Sequence, residues 1–186
     1  MSVQYQKRYF NVDEYYRMLD AGVLTEDDRV ELIDGEIITM NPIGSRHAAN
    51  VTRVGTMLAR MLDSNVIVRI QNPVRLDQYS EPEPDIALVT GRDDCYSQSH
   101  PTAADVLLII EVADSSLEYD KKIKLPLYAR AGIPEVWIED LVWDRIEAYS
   151  QPVNGTYQKS RIAERGESIS PGNLPALIFS IEDLLG

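Results

Sequence analysis

Cysteine occurs once in this chain, at Cys95, and histidine twice, at His47 and His100. A lone thiol excludes an internal disulfide and suits a reducing cytoplasm. Two histidines argue against a histidine-rich zinc site. No apolar run approaches the roughly 20 residues that a helix needs to cross a bilayer. Residues Met1–Arg8 lack the apolar stretch of a signal peptide, so the expected location is cytoplasmic, with no membrane partner. Basic residues are also scarce: 18 Lys and Arg face 30 Asp and Glu, for a net charge of −12. That balance argues against constitutive coating of a nucleic-acid backbone, which relies on clustered Lys and Arg. It leaves room for an enzyme acting on nucleic acid, because bound cations and a local basic rim can reverse the sign of one cleft. What remains, 44% hydrophobic and 26% charged over 186 residues, is an ordinary globular composition. With no repeat, low-complexity tract or linker, residues 1–186 read as a single domain with a sizeable core.

Local patterns place the elements. Asn11 and Glu14 form a capping-box signature for a helix that aligns Tyr15, Met18 and Leu19. Arg29–Ile33 and Glu36–Met40 flank Asp34-Gly35, which predicts a hairpin with a primed turn. Val51, Val54, Leu58 and Leu62 give Ser45–Leu62 an amphipathic helical face. Short strands are expected at Val66–Ile70 and Val74–Leu76, then two apolar strands, Ile86–Val89 and Val106–Val112. The polar stretch between them, Thr90–Ala104, has a length that usually marks a functional or mobile loop. A helix over Tyr119–Ala131, closed by Gly132, is followed by strands at Glu135–Ile138 and Arg145–Tyr149 and an edge strand at Tyr157–Ser160. Ser180 caps a last short helix. The pattern predicts an α/β architecture, helices flanking a mixed sheet.

Three charged positions punctuate this frame. Asp85 follows Pro84 at the mouth of the first apolar strand, Glu111 interrupts the second, and Lys124 lies on the following helix. An ionised carboxylate buried in such strands costs several kcal/mol unless a cation or hydrogen bonds offset it. Two of them with a lysine nearby suggest a divalent-metal site for work on phosphate. Blander readings exist: Asp beside Pro is common in turns, and Glu111 could face solvent at the sheet rim or take a Lys or Arg partner. Asp120 and Lys124 stand at i, i+4, favourable for an ion pair, and Lys121 and Lys122 read as a solvated face. Tyr128 lies one turn beyond Lys124, and Pro126 predicts a bend that could aim the lysine. Glu31 could add a further carboxylate, or be an edge-strand charge. His47 could hydrogen-bond a phosphate or a carboxylate, or simply lie at the surface.

At Pro84-Asp85, Glu111 and Lys124 the sequence resembles the PD-(D/E)XK nuclease superfamily, the restriction-endonuclease-like fold. More closely, it is similar to the Uma-two family of restriction-endonuclease-like proteins. The matching stretches are Val30-Glu31-Leu32-Ile33-Asp34-Gly35-Glu36, Met40-Asn41-Pro42 with His47 after it, Glu83-Pro84-Asp85-Ile86, Ile110-Glu111-Val112, Asp120 through Lys124-Leu125 to Tyr128, and Ala129-Arg130-Ala131-Gly132-Ile133-Pro134-Glu135-Val136-Trp137. The resemblance implies a restriction-endonuclease-like mixed central sheet of four or more strands flanked by helices, with Asp85 and Glu111 holding Mg²⁺ or Mn²⁺. The superfamily's lysine normally stands two residues after the acidic strand residue, where this chain has Ala113; Lys124 is its match. A proline-containing turn is frequent after the acidic strand in relatives, and here Asp114-Ser115-Ser116 stands instead.

Magnesium takes hard oxygen ligands and keeps several waters, so two carboxylates plus a backbone carbonyl, that of Val112, would suffice. Lys124 would orient the attacking water or neutralise charge on the phosphoryl oxygens, and Glu31 would hold a second metal or a water. The expected activity is metal-dependent endonucleolytic hydrolysis of DNA by a homodimer, with catalytic residues Asp85, Glu111, Lys124 and Glu31 and substrate contacts from His47 and Tyr128. Two other readings stay open: a non-catalytic metal-binding interaction module on the same fold, and a small-molecule phosphodiesterase. A positive rim would favour the nuclease, and a narrow pocket the phosphodiesterase.

Overall fold

Asn11 Oδ1 accepts from the Glu14 N–H at 2.8 Å, and the Glu14 carboxylate accepts from the Asn11 N–H at 3.2 Å. The capping box is therefore formed, and α1 runs Val12–Asp20. The computed structural model describes residues 6–25 and 27–186; over residues 1–5 the reading of Met1–Arg8 lies outside the described residues. Strands β1 (Val30–Ile33) and β2 (Glu36–Thr39) pair antiparallel. Asp34 and Gly35 both take positive φ, +48° and +78°, which is the primed turn that matches strand twist. Helix α2 (Ser45–Met61) buries Val51, Val54 and Leu58, the predicted face.

The central sheet has six strands, in the order β3 (Val66–Ile70), β4 (Ile86–Thr90), β5 (Val106–Ala113), β6 (Glu135–Asp140), β7 (Arg145–Val153), β8 (Thr156–Glu164). Only β5 and β6 run parallel; the other neighbours are antiparallel. The parallel pair needs a crossover, supplied by α3 (Leu117–Tyr119), a π turn (Asp120–Lys124) and α4 (Leu125–Ala131). Gly132 closes α4 at φ +81°, a left-handed cap that glycine adopts without steric cost. Strands β9 (Ser168–Ile169) and β10 (Phe179–Ser180) pair separately and lead into α5 (Ile181–Leu185), capped by Ser180. One sheet face packs Ile86, Leu108, Ile110 and Trp137 under α2 and α5. The other packs Ile109, Val136 and Ile138 against Tyr128 and Ile133. The architecture is a mixed α/β sheet flanked by helices, as expected.

Four local expectations are corrected. Val74–Leu76 is not a strand: Arg75 makes one isolated bridge to Thr102, while Val74 and Leu76 donate to Pro82 and Ser80. Pro73, Pro82 and Pro84 remove the donors that a continuous ladder would need. The Thr90–Ala104 stretch folds back onto the sheet, with Tyr96 buried and its hydroxyl donating to the Thr90 carbonyl at 2.8 Å. The crossover helix begins at Leu117, and the predicted bend takes the form of the π turn, in which the Leu125 N–H reaches back to the Asp120 carbonyl. Pro126 lacks an N–H and its ring crowds the carbonyl four residues back, which the wider turn accommodates. Finally, Lys121 is not merely solvated: it pairs with buried Glu147 at 2.7 Å. No helix among the described residues is long and apolar enough to cross a membrane.

Candidate active site

Ile86 stands opposite Ile110 in the antiparallel β4–β5 pair, so the next pair outward is Asp85 and Glu111. The two strand ends are tied together through their acids. The Asp85 N–H donates to Glu111 Oε2 at 3.2 Å, and the Val112 N–H donates to Asp85 Oδ2 at 2.9 Å. Asp85 Oδ1 also accepts from His47 Nε2 at 2.9 Å and from the Gln71 amide at 3.3 Å. Gln71 reaches it from a left-handed backbone (φ +49°), a conformation uncommon for a side chain of this kind.

Glu111 is 2% exposed and faces Lys124, itself 6% exposed. Lys124 Nζ lies 3.2 Å from Glu111 Oε1, 3.5 Å from Glu31 Oε2 and 3.3 Å from the Glu83 carbonyl. The π turn delivers it there. The expected Asp120–Lys124 ion pair does not form; Asp120 accepts from Ser116 Oγ at 2.6 Å, though its charge still acts on the lysine. Glu31 is buried rather than displayed on a strand edge. It accepts from the Glu83 N–H at 3.1 Å and the Tyr119 hydroxyl at 3.0 Å.

Four of the predicted residues, Asp85, Glu111, Lys124 and Glu31, therefore converge, with His47 bonded to one of them. Tyr128 is placed differently. It is wholly buried, its hydroxyl donates to Glu111 Oε1 at 2.6 Å, and it does not line the cleft. Its hydroxyl is engaged by Glu111 and not presented to the cleft. The sequence reading missed Gln71, Glu83 and Tyr119, all of which line the cleft. Only Glu83 carried a signal, as an acid beside the Pro84-Asp85 pair. The Thr90–Ala104 stretch contributes nothing to the lining.

The cleft encloses about 380 Å³ and is lined by six carboxylates, Glu31, Glu83, Asp85, Glu111, Asp114 and Asp120, against the cations Arg29 and Lys124. The charge imbalance perturbs titration. Burial pushes Glu111 up to about 8, and Lys124 only partly offsets it. Burial likewise lifts Asp120 to about 6. Burial also opposes ionisation of Asp85, but the hydrogen bond and charge of His47 and the Val112 N–H outweigh it and hold this carboxyl below its ordinary range. His47 is raised, chiefly by its bond to Asp85, and the backbone of Val112 adds to the effect. The surrounding carboxylates overcome desolvation and hold Lys124 well above its usual value.

Among the described residues no three His, Cys, Asp or Glu side chains form a metal-holding group. The donor chemistry here is two carboxylates on adjacent strand ends with the Val112 backbone between them. The carboxylates are hard oxygen donors of the kind that suit Mg²⁺ or Mn²⁺ with several waters retained, and the Val112 N–H is bonded to one of them.

Residues 12–182 match the Uma2 family, described as "Putative restriction endonuclease". A crystal structure of "a putative nuclease belonging to DUF820" from Anabaena variabilis superposes with a TM-score of 0.69 at 17% sequence identity. The match covers 95% of this chain and 97% of that one. No curated protein matches the chain.

Proposed function

The chain belongs to the Uma2 family, and we propose that it is a divalent-cation-dependent nuclease that hydrolyses DNA phosphodiester bonds in the Asp85–Glu111–Lys124 cleft. The observation that carries this reading is the excess of buried negative charge. Glu31, Glu111, Asp120 and Asp85 surround a single buried lysine. Carboxylates removed from water are relieved by a cation or by their own proton; Lys124 and His47 are the two basic groups facing these four, and Glu111 is accordingly pushed up to about 8. Asp85, Glu111 and the Val112 carbonyl would hold a Mg²⁺ or Mn²⁺, which would supply positive charge, polarise a phosphoryl oxygen and acidify water.

The chain's own groups then divide the remaining work. Lys124, held cationic by its neighbours, faces the cleft where charge grows on the phosphoryl oxygens and stabilises it there. Glu31, anchored by Tyr119 and the Glu83 N–H, fixes the lysine's direction and can accept a hydrogen bond from water. Tyr128 holds Glu111, and Gln71 with His47 holds Asp85, so both acids are fixed before substrate arrives.

Calorimetric titration with Mn²⁺ and Mg²⁺, wild type beside Asp85→Asn, tests the cation site, and cleavage of labelled oligonucleotides tests the chemistry. Binding and cleavage that both vanish in Asp85→Asn support the reading. Wild-type cleavage that persists in chelator refutes it. The acidic lining and the 380 Å³ volume favour one second reading, hydrolysis of a small phosphodiester. Turnover of bis(p-nitrophenyl) phosphate with no oligonucleotide cleavage would select it.

A further inference from the structure

The turn between β6 and β7 displays two large apolar side chains side by side, Val142 at 59% exposed and Trp143 at 68%. The turn is held in place at several points. Asp140 Oδ1 accepts from both the Val142 N–H at 3.1 Å and the Trp143 N–H at 3.0 Å. Asp144 follows at φ +55°, its carboxylate gripped by the Arg165 guanidinium. Upstream, the Leu141 N–H donates to the Ala113 carbonyl at 3.0 Å, and Arg46 donates to the Leu141 carbonyl. A fixed turn that holds an indole out into water leaves apolar area unburied with no gain to the fold.

The turn also borders the candidate active site. β5 and β6 are parallel, with Ala113 opposite Asp140, so the turn leaves the sheet beside Asp114, which lines the cleft. Arg46 spans the two: it bonds to Leu141 and lies 3.6 Å from Asp114. It is also the residue before His47 in α2. A second guanidinium, that of Arg145, lies 6.0 Å from the Trp143 ring. An exposed aromatic ring with the Arg145 guanidinium beside it, on a turn that Arg46 links to the cleft residue Asp114, has the composition of a nucleobase stacking platform.

We infer that Trp143 stacks an unpaired base of a single-stranded nucleic acid whose backbone passes Arg46 into the Asp85–Glu111 cleft. The inference rests on the nuclease reading and narrows its substrate to strands with accessible base faces. The chain's charge selects this occupant. With a net charge of −12, it can offer few phosphate contacts, so duplex binding through the backbone is weak. Stacking gains affinity without phosphate contacts, and a base inside a duplex has no free face to offer.

The chain has two tryptophans, and they report separately. Trp137 is fully buried against Phe179, so acrylamide quenching reads Trp143. Quenching is measured on the intact chain, in EDTA and again in Ca²⁺, with an eight-residue oligothymidylate and with a duplex of the same length. The expected result is that the single strand shields Trp143 in at least one condition and the duplex does not. Trp143→Ala should weaken single-strand binding by roughly 10-fold or more, with Trp143→Phe retaining most of it and a weak salt dependence in both. Shielding by the duplex as strong as by the single strand overturns the inference. So does unchanged affinity in Trp143→Ala, or a Trp143 already inaccessible in the free protein, which would mark a self-association face. Cleavage of the same oligothymidylate in Mg²⁺ is scored separately. Shielding without cleavage leaves the stacking site standing and removes the nuclease reading, and cleavage without shielding does the reverse.

Discussion

Replacing Lys124 by methionine keeps most of the side-chain volume and removes the one ammonium that faces Glu31 at 3.5 Å and Glu111 at 3.2 Å. Removing one partner of a buried ion pair typically costs about 3–5 kcal/mol, because the other charge is left uncompensated. For a chain of this size that corresponds to a fall in melting temperature of roughly 6–20 °C. The loss must depend on pH. Glu111 and Asp120 have folded-state pKa values raised by burial to about 8 and about 6. Their contribution to stability is intact below their unfolded values and is lost as pH rises through the folded ones. Lys124 offsets that loss in the wild type. In the variant nothing does, so the gap between the two proteins should be widest near pH 9 and narrow toward pH 5. A divalent cation bound by Asp85 and Glu111 should restore part of it: ligand at 100 times its Kd contributes about 2.7 kcal/mol. Urea denaturation of both proteins at pH 5.5 and pH 9, with and without Mn²⁺, measures all three quantities. A stability gap that is the same at both pH values would refute the account, because the carboxylates would then not be sharing the lysine's charge.

Three further outcomes follow from the same structure. Tyr128→Phe leaves Glu111 Oε1 without its 2.6 Å donor; turnover should fall about 10–100-fold with the KM for substrate unchanged, since Tyr128 lies outside the cleft, and a KM effect alone would contradict that placement. Glu139 is fully buried on β6, bonded by Asn50 on one oxygen and unpartnered on the other, and burial pushes it up to about 8. Its penalty is absent below its ordinary range and complete above pH 8, at most about 5 kcal/mol, so Glu139→Gln should flatten the decline in stability between pH 5 and pH 9, and an unchanged slope would show that Glu139 is solvated. At Gly35 the backbone is left-handed and an added Cβ would lie 2.6 Å from Tyr9 Cβ; Gly35→Ala should therefore cost about 1–3 kcal/mol by thermal melting, and a neutral result would mean that the Glu31 hairpin shifts freely.

The candidate site was legible where a charge interrupted an aliphatic run, because a charge there demands a partner. Glu111 could be singled out from Val106–Val112 alone, and its partner turned out to be Lys124, thirteen residues on and delivered by the π turn. Pro126 announced a bend, but the reach of Leu125 back to Asp120 is set by the wider hydrogen-bonded turn and has no signature in residue type. Depth was not legible either. Helical spacing put Tyr128 on the face of Lys124, which is right, yet only packing decides that the phenol stops at Glu111. Glu139 at the end of a strand looks solvated, and its burial depends on Asn50, 89 residues away, and on α5. Val74–Leu76 read as a strand from three residues, while the prolines that forbid the ladder include two from the segment folding back onto it.

The acidic balance of the chain, which at first opposes any role on nucleic acid, becomes informative once its distribution is known. Six of the carboxylates line one cleft, and several of them are buried and tied to backbone N–H groups or hydroxyls, not spread over solvated faces. Buried charge of one sign is costly in the empty protein, and that cost is relieved by a cation or by protonation, as the raised Glu111 and Asp120 show. On the proposed reading, affinity for phosphate is conditional on the cation, because the acidic lining of the metal-free protein repels a phosphodiester strand. On that reading the attraction at the rim falls to the fixed indole of Trp143, with the Arg46 guanidinium between its turn and Asp114.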